Sequence, residues 1–346
     1  MKYDIKNNLK KTEGITSKLI IGDLEKINNP FFSIVIPTYK RTDLLKKCVL
    51  SAINQQHVDF AYEIIVVDND DSDSKEVETI LNSIATDNLY YYKNSKNIGG
   101  AGNWNRCITL ARSNYVIMCH DDDWLKEECL ATMKDIVRSH DMNKIGYIRS
   151  SAESYFDSKL VVDRSTRKSP VIRKKRSSLI KFSNIDVILT GGVTWAGSPT
   201  CGTLINKRVF LEVGGYNDEL IPCFDCYVPY QMLKKKYEVC KTYYSLGYYR
   251  WSDNDTYNKS TLVGLIKAYN EFLYILSTNS GFVRFFLNEN YFDCVKYYRS
   301  KAKEACVEIS DEEISEIRTI KYSGFKLKLL YFLRKAYSLK KQLFAN

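Results

Sequence analysis

The sequence predicts an α/β protein: a mainly parallel sheet covered by helices on both faces, followed by a helical C-terminal region. Three observations carry this. Short apolar runs alternate with stretches of helical spacing from about residue 31 to 137; the runs are continuously apolar, as strands buried on both faces require; and the pattern turns helical from about Ser260 to the end. Residues 31–36 read as the first strand, ending at Pro37, and residues 42–54 as a helix with Thr42 as its cap. The second strand, 63–67, runs into DNDDSDS, a run too polar for a core, and a helix over 77–84 leads to an aromatic strand over 89–92. A helix over 101–112, a strand over 115–119 and a helix over 125–137 complete the alternation. Beyond Gly146 come an extended segment, a basic loop RSTRKSPVIRKKR, a helix near 179–189, a returning strand over 201–205, a helix over 227–236 and one or two strands across 241–249. The expected division is a leader over 1–30, the α/β domain over 31–256 and a helical region over 257–346 with a basic amphipathic tail.

Composition narrows the function classes. A chain of 346 residues, 45% hydrophobic and 27% charged, can bury a full core, which argues against wholesale disorder. Its ten cysteines are scattered, and the Cys223/Cys226 pair lacks the second pair or nearby histidines of a zinc module, so they read as reduced thiols of a cytoplasmic protein. With only His57, His120 and His140 available, carboxylates are better placed than histidines for acid–base work. The opening stretch has no apolar core of a secretory signal, and no window offers the ~20 uncharged apolar residues of a membrane span. The expectation is therefore a soluble or peripheral protein. The net charge of +10 suits nucleic acid, an anionic membrane or a polyanionic substrate equally.

The sharpest chemical feature is CHDDDWL, where Asp121, Asp122 and Asp123 follow the apolar run YVIMC. Three adjacent carboxylates repel one another, and oxygen ligands at a strand end suit Mg2+ or Mn2+ bridging to phosphate; the alternative is a solvated acidic loop. A second acid, Asp68, ends IIVVD, where it can accept hydrogen bonds from ribose hydroxyls or a base N–H, or instead form an Asx turn, as Asp71 or Asp73 could. Between them NIGGAGNWN places Gly99, Gly100 and Gly102 at a helix start, where the backbone can approach phosphate. The glycines do not follow an apolar strand in the G-x-G-x-x-G register, which argues against a dinucleotide-binding oxidoreductase.

In order and spacing, SIVIPTYKR, EIIVVDNDDSD, NIGGAGNWNRCI and CHDDDWL together resemble the family 2 glycosyltransferases, which share the GT-A fold. The resemblance implies that Pro37, Thr38, Tyr39 and Asp68 line the nucleotide-base pocket, and that Asn97, Gly99 and Asn103 frame ribose and phosphates. His120 stands where many members carry the first aspartate of D-x-D. Asp122 is accordingly the expected metal ligand, Asp121 a contact to ribose or donor sugar, and Asp123 a second ligand or a hydrogen-bond acceptor beside it. His120 is expected as a packed or hydrogen-bonded residue. Farther on, VGGYNDELIPCFDCYVPYQML is similar to the acceptor half of the family, which makes Asp225 the catalytic base, with Asp218 and Glu219 as competitors and a helix N-cap as the bland reading. LGYYRWSDNDT resembles the element that brings a basic residue to the diphosphate, here Arg250.

The function so implied is inverting transfer of a sugar from a nucleotide-sugar donor, commonly UDP-linked, to a glycan or lipid-linked acceptor in surface polysaccharide or lipooligosaccharide synthesis, with Mn2+ or Mg2+ as cofactor. A nucleic-acid-binding protein, a nucleotidyltransferase or retaining transferase of the same fold, and a non-catalytic carbohydrate binder are the alternatives. The first is opposed by the triple aspartate, the nucleotidyltransferase by the lack of a glycine pair in SIVIPTYKR, and a binder would be told apart by its lack of donor hydrolysis. The tail FKLKLLYFLRKAYSLKKQLF carries no acid. It either lies on an anionic membrane at the inner face, inserting Leu329, Leu330, Phe332 and Leu333 while Lys326, Lys328, Arg334, Lys335, Lys340 and Lys341 meet head groups, or packs on the domain with a solvated basic face. The basic loop with Arg173, Lys174, Lys175 and Arg176 would meet the same surface or an acceptor pyrophosphate.

Overall fold

In the computed structural model, which describes residues 7–155, 178–190, 200–250, 258–315 and 321–343, the apolar runs become strands of one sheet. The strands are β1 (Ser17–Ile21), β2 (Phe32–Thr38), β3 (Tyr62–Asp68), β4 (Leu89–Asn94), β5 (Tyr115–Met118), β6 (Trp124–Leu125), β7 (Ile145–Tyr155), β8 (Leu179–Lys181), β9 (Thr203–Asn206) and β10 (Glu238–Arg250). Their order is β1-β4-β3-β2-β5-β9-β7-β10-β6, with β8 also on β10. The run from β4 to β5 is parallel, β1 and β9 are antiparallel to their neighbours, and β7 pairs parallel with β10. From β2 the chain steps outward through β3 and β4, then returns to the other side of β2 as β5. The carboxyl ends of β2 and β5 thus form a switch point, where α/β sheets open a crevice.

The continuous apolarity of the strands has a direct cause. Val35, Ile65, Val67, Val116 and Met118 point into one cluster, with residues of α3 (Gly99–Leu110), α6 (Lys207–Glu212) and α7 (Phe224–Lys234). Ile34, Ile36, Ile64, Val66 and Ile117 point into the other, with α1 (Thr42–Ile53), α2 (Glu76–Asn82) and α4 (Cys129–Ser139). Each fully buried aliphatic side chain contributes about 1.5–3 kcal/mol relative to exposure, so alternation is lost because both faces need apolar contact. Helices α8 (Lys259–Asn279) and α9 (Gly281–Glu304) add Leu273, Leu276 and Tyr291 to the first cluster, extending its core into the C-terminal region.

Several expected boundaries move for identifiable reasons. Thr42 is the first helical residue of α1, and Arg41 holds the cap position without a side-chain cap bond. The helix expected from residue 125 starts at Cys129, because Trp124 and Leu125 pair with Tyr248 and Gly247 of β10. The helix expected over 179–189 divides into β8, drawn onto β10, and α5 (Asn184–Thr190). The stretch expected as a leader contributes β1, an antiparallel edge on β4, and Asn8 N–H donates to Gly214 O at 3.0 Å.

Glu63 is buried at the start of β3, accepting from Ser33 Oγ (2.5 Å), Arg112 N (2.7 Å) and Arg112 Nε (2.6 Å). Glu63→Gln removes the charge that Arg112 requires and is expected to lower stability by about 3 kcal/mol, the low end for a broken buried pair because Arg112 is partly exposed. A urea midpoint unchanged from the parent would contradict this.

After the short α10 (Asp311–Ser315), the tail forms α11 (Gly324–Leu343), packed along α9 and α5. Two residues expected at a membrane turn inward instead. Leu330 is fully buried, and Arg334 pairs with Asp293 at 2.6 Å while donating to Asn290 Oδ1 and Leu189 O at 2.6 Å each. A helix seated on a domain commits one face to it, and this one commits the face bearing Leu330 and Arg334. The basic loop with Arg173, Lys174, Lys175 and Arg176, and the side chain of Lys341, lie outside the described residues.

Candidate functional site

The switch point gathers the acidic turn and the first-strand motif. Thr38, last residue of β2, is buried and donates its hydroxyl to Asp121 Oδ2 at 2.8 Å. Arg41, at the start of α1, reaches across to Asp122 Oδ2 at 2.6 Å and stands 3.9 Å from Asp121 Oδ1. Asp123 Oδ1 accepts from the backbone N–H of Arg250 at 3.0 Å, which ties the turn to the end of β10. Its Oδ2 is buried and has no hydrogen-bond partner of good geometry among the described residues, with His120 Nδ1 3.4 Å away.

His120 is packed and hydrogen-bonded, as expected. Its Nε2 lies 2.6 Å from Thr200 Oγ1, and its ring sits 4.5 Å from that of Trp104. It also belongs to a group not expected from sequence: one ligand atom from each of His120, Asp122 and Asp123 falls within 4.8 Å of the others. Two carboxylates with an imidazole, and an orphaned carboxylate oxygen among them, fit a divalent ion of the oxygen-preferring kind, Mn2+ accepting the nitrogen more readily than Mg2+. The electrostatics agree with a site built for positive charge. Burial and the neighbouring Asp122 push the Asp121 carboxyl up to about 6, and burial likewise raises Asp123. Burial opposes the His120 imidazolium, but Asp123 beside it, with Asp122 and Asp121, outweighs that and raises its pKa above the usual histidine value.

The ends of β3 and β4 carry the second part. Asp68 is buried, accepting from Tyr91 OH on Oδ2 (3.0 Å) and from Asp70 N on Oδ1 (2.9 Å), and burial raises its pKa. Each oxygen keeps a lone pair for a further donor. Pro37 is buried within β2, whereas the Tyr39 ring is 43% exposed at its end. Asn97 Oδ1 accepts from Asn69 Nδ2 and Gly99 N, both at 2.9 Å, and so shapes the turn into α3. Gly99 has φ +72°, a left-handed conformation that favours glycine, and a side chain there would meet nothing within 4 Å. Asn103 is buried and braces the strand ends, donating to Val67 O (3.0 Å) and Thr38 O (3.4 Å) and accepting from Asn94 (3.0 Å). Its amide holds the crevice wall together and does not face out of it. Asn69 and Asn94 belong to the same network and were not singled out from sequence.

The third part comes from the second half of the chain. Asp225 sits in the first turn of α7, where Cys223 holds the N-cap position, so the bland reading of Asp225 as the cap does not hold. Trp104 bridges the halves, with His120 on one side and Phe224, the residue before Asp225, edge-on at 4.8 Å. Asp225 lies within electrostatic reach of His120 and Arg149; burial dominates and raises its pKa. The turn before α7 is docked on α3, because Asn105 accepts from Tyr216 N at 2.8 Å and donates to Tyr216 O at 3.0 Å. Gly215, at φ +74°, leaves no room for a side chain, since a Cβ would stand 2.6 Å from Asn105 Oδ1. The competitor Asp218 is half exposed and paired with Lys11, away from this cluster.

Residues that sequence reasoning did not single out are Arg41, Thr200, Trp104 and Arg149. Arg41 had a signal, as the cation closing SIVIPTYKR directly beyond the strand. Thr200 lies just before β9 in WAGSPTCGTLINKRVF, a segment similar to the acceptor half of the family but marking no single residue, and Arg149 is brought in by the distant strand β7.

Comparison with known proteins bears on the family and the fold. Residues 33–191 match the family model described as Glycosyl transferase family 2. The GalNAc(5)-diNAcBac-PP-undecaprenol beta-1,3-glucosyltransferase of Campylobacter jejuni is 28% identical over 157 residues, 44% of this chain and 49% of that enzyme, so the match spans about half of the relative's length. Among solved structures, S. aureus TarS 1-349 in complex with UDP-GlcNAc aligns with a TM-score of 0.56 at 12% identity, covering 82% of this chain and 85% of that one. The mannosyltransferase PcManGT from Pyrobaculum calidifontis, in complex with GDP-Man and Mn2+, aligns at 0.52 and 12% identity, covering 98% and 93%. These likenesses establish the GT-A fold, with its mixed, mostly parallel sheet flanked by helices.

Proposed function

We propose, on the premise that residues 33–191 of this chain are a glycosyl transferase family 2 domain, that the protein transfers a sugar from a nucleoside diphosphate, UDP being the first candidate, to a hydroxyl of a glycan or lipid-linked acceptor, inverting the anomeric carbon. The observation that carries this reading is the meeting of two kinds of carboxylate: the turn of Asp121, Asp122 and Asp123 at the switch point, and Asp225 from the other half, joined through His120 and Trp104.

In this reading Asp122 and Asp123, with His120 beside them, hold a divalent cation, which when bound supplies positive charge against the departing diphosphate. Asp121 and Asp68 accept hydrogen bonds from the donor's ribose or base, Pro37, Thr38 and Tyr39 border the base, and the turn of Asn97 and Gly99 offers backbone toward phosphate. Asn103 keeps that wall in register. Arg250 approaches the diphosphate from the end of β10. Asp225 takes the acceptor proton as the hydroxyl attacks from the face opposite the leaving group, and its raised pKa makes it a stronger base than an ordinary carboxylate. A screen of nucleotide sugars with and without Mn2+, reading nucleoside diphosphate release, tests the reading; release equal to a protein-free control with every donor would overturn it. No observation favours the nucleic-acid or nucleotidyltransferase readings.

The undecaprenol-linked substrate named for the Campylobacter relative supports a lipid-linked acceptor here. Among the described residues no helix is long and apolar enough to cross a membrane. The outward face of α11 supports peripheral attachment instead: Phe325 (75% exposed), Phe332 (67%) and Leu339 (51%) recur every seven residues, with Lys328, Lys335 and Lys340 exposed around them. Each basic contact with an anionic surface contributes about 1 kcal/mol. Replacing Phe325, Phe332 and Leu339 together with serine is expected to reduce cosedimentation with phosphatidylglycerol vesicles by about tenfold or more, as loss of inserted apolar area requires. Equal recovery of variant and parent in the pellet would remove the attachment from the account.

A further inference from the structure

Arg41 and a divalent cation have a claim on the same atom. Its Nη1 stands 2.6 Å from Asp122 Oδ2 and 3.9 Å from Asp121 Oδ1, and the side chain is one-third exposed, so its guanidinium sits at the mouth of the crevice. Thr38 already engages Asp121 Oδ2. The position of Arg41 is set by the chain, three residues beyond β2 and at the cap of α1, and from there its long side chain spans to the acidic turn. A guanidinium never loses its charge, and its flat fork of donors matches two phosphate oxygens as well as a carboxylate.

We propose that Arg41 is an exchange cation. It neutralises Asp122 until a divalent ion is bound at that carboxylate, then turns its fork from Asp122 Oδ2 to the diphosphate oxygens of the donor. The proposal rests on the reading of this crevice as a nucleoside diphosphate site. It differs from a fixed brace, in which Arg41 would hold Asp122 in place for the metal throughout. The two roles predict opposite signs. An exchange cation competes with metal alone and assists nucleotide, so its removal tightens the first and weakens the second. Removing a brace weakens both.

Calorimetry on the full chain separates them, titrating MnCl2 alone and then UDP at saturating Mn2+ into the parent, Arg41→Gln and Arg41→Lys. Arg41→Gln is expected to bind Mn2+ alone about threefold or more tighter, because a like charge has left the carboxylate. The same variant is expected to bind UDP about tenfold or more weaker, since hydrogen bonds to charged groups are lost. Arg41→Lys, which keeps the charge and loses the fork, should bind Mn2+ like the parent and UDP with intermediate affinity. A partly unfolded variant weakens both titrations and so cannot mimic the expected pair of signs; urea midpoints identify that case, and the charge-retaining Arg41→Lys then decides through its UDP affinity. Unchanged or weaker Mn2+ binding in a folded Arg41→Gln overturns the exchange. If the parent takes up Mn2+ but no UDP or GDP, the donor reading itself falls, and the exchange with it.

Discussion

Asp122→Ala is expected to abolish cation-dependent binding of nucleotide sugar, lowering affinity in the presence of Mn2+ by about 100-fold or more, as removal of a carboxylate ligand from an oxygen site implies. The physical reason is the position of Asp122 among its neighbours. It lies in the group of three ligand-bearing residues, while Asp121 is engaged by Thr38 and Asp123 by the backbone of Arg250. Asp122 thus carries the close guanidinium pair of the turn, 2.6 Å from Arg41, which stands 3.9 Å from Asp121. The substitution also relieves repulsion among the three acids, so the fold should remain intact. Thermal melting of the variant at or above the parent temperature, together with lost donor uptake by calorimetry, is the expected pair of results. Near-parental uptake would remove Asp122 from the site.

Asp225→Asn should behave in the opposite way. Donor affinity is expected to stay within about twofold of the parent while transfer falls by roughly 100-fold to 10,000-fold, the range attributed to a positioned general base. Asparagine keeps the shape of the side chain in the first turn of α7 and removes its charge and its capacity to accept a proton. The pH dependence follows from the direction of the shift. Burial raises the Asp225 pKa, and the deprotonated form is the base, so activity of the parent should be present at high pH and decline as pH falls through a value above the ordinary carboxylate range. That limb should be absent from the residual activity of Asp225→Asn. A variant turning over at the parental rate, or one keeping the same limb, would reassign the base.

The first half of the fold was legible because its chemistry is local. Val35 and Ile36 are apolar since helices cover both sides of β2, and the same burial leaves Asp68 and the acidic turn as the first polar residues at the strand ends. Local patterning could not show β6 or β8, whose two and three residues become strands only because the long β10 runs beside them. The site divides similarly. The acidic turn could be read from its self-repulsion, and Asp225 from its resemblance to a family pattern. The place of Asn103 beside the glycines points to the donor, whereas its burial and its three hydrogen bonds, with Thr38 O, Val67 O and Asn94, make it a brace between β2, β3 and β4. A lone histidine is more often packed than ligating, and the contact of His120 with Thr200 agrees with packing; only the folded turn puts its other nitrogen beside Asp123. Arg41 was visible in sequence, but nothing there shows that it crosses the crevice to an aspartate eighty-one positions away.

The central claim is that the acidic turn anchors a divalent cation and, through it, the diphosphate of a sugar nucleotide. Calorimetric titration of the folded parent with UDP- and GDP-linked sugars, with and without Mn2+, measures this directly. The account predicts uptake of at least one donor that strengthens by about tenfold or more when Mn2+ is present. No uptake of any sugar nucleotide under either condition, from protein shown to be folded, would contradict it.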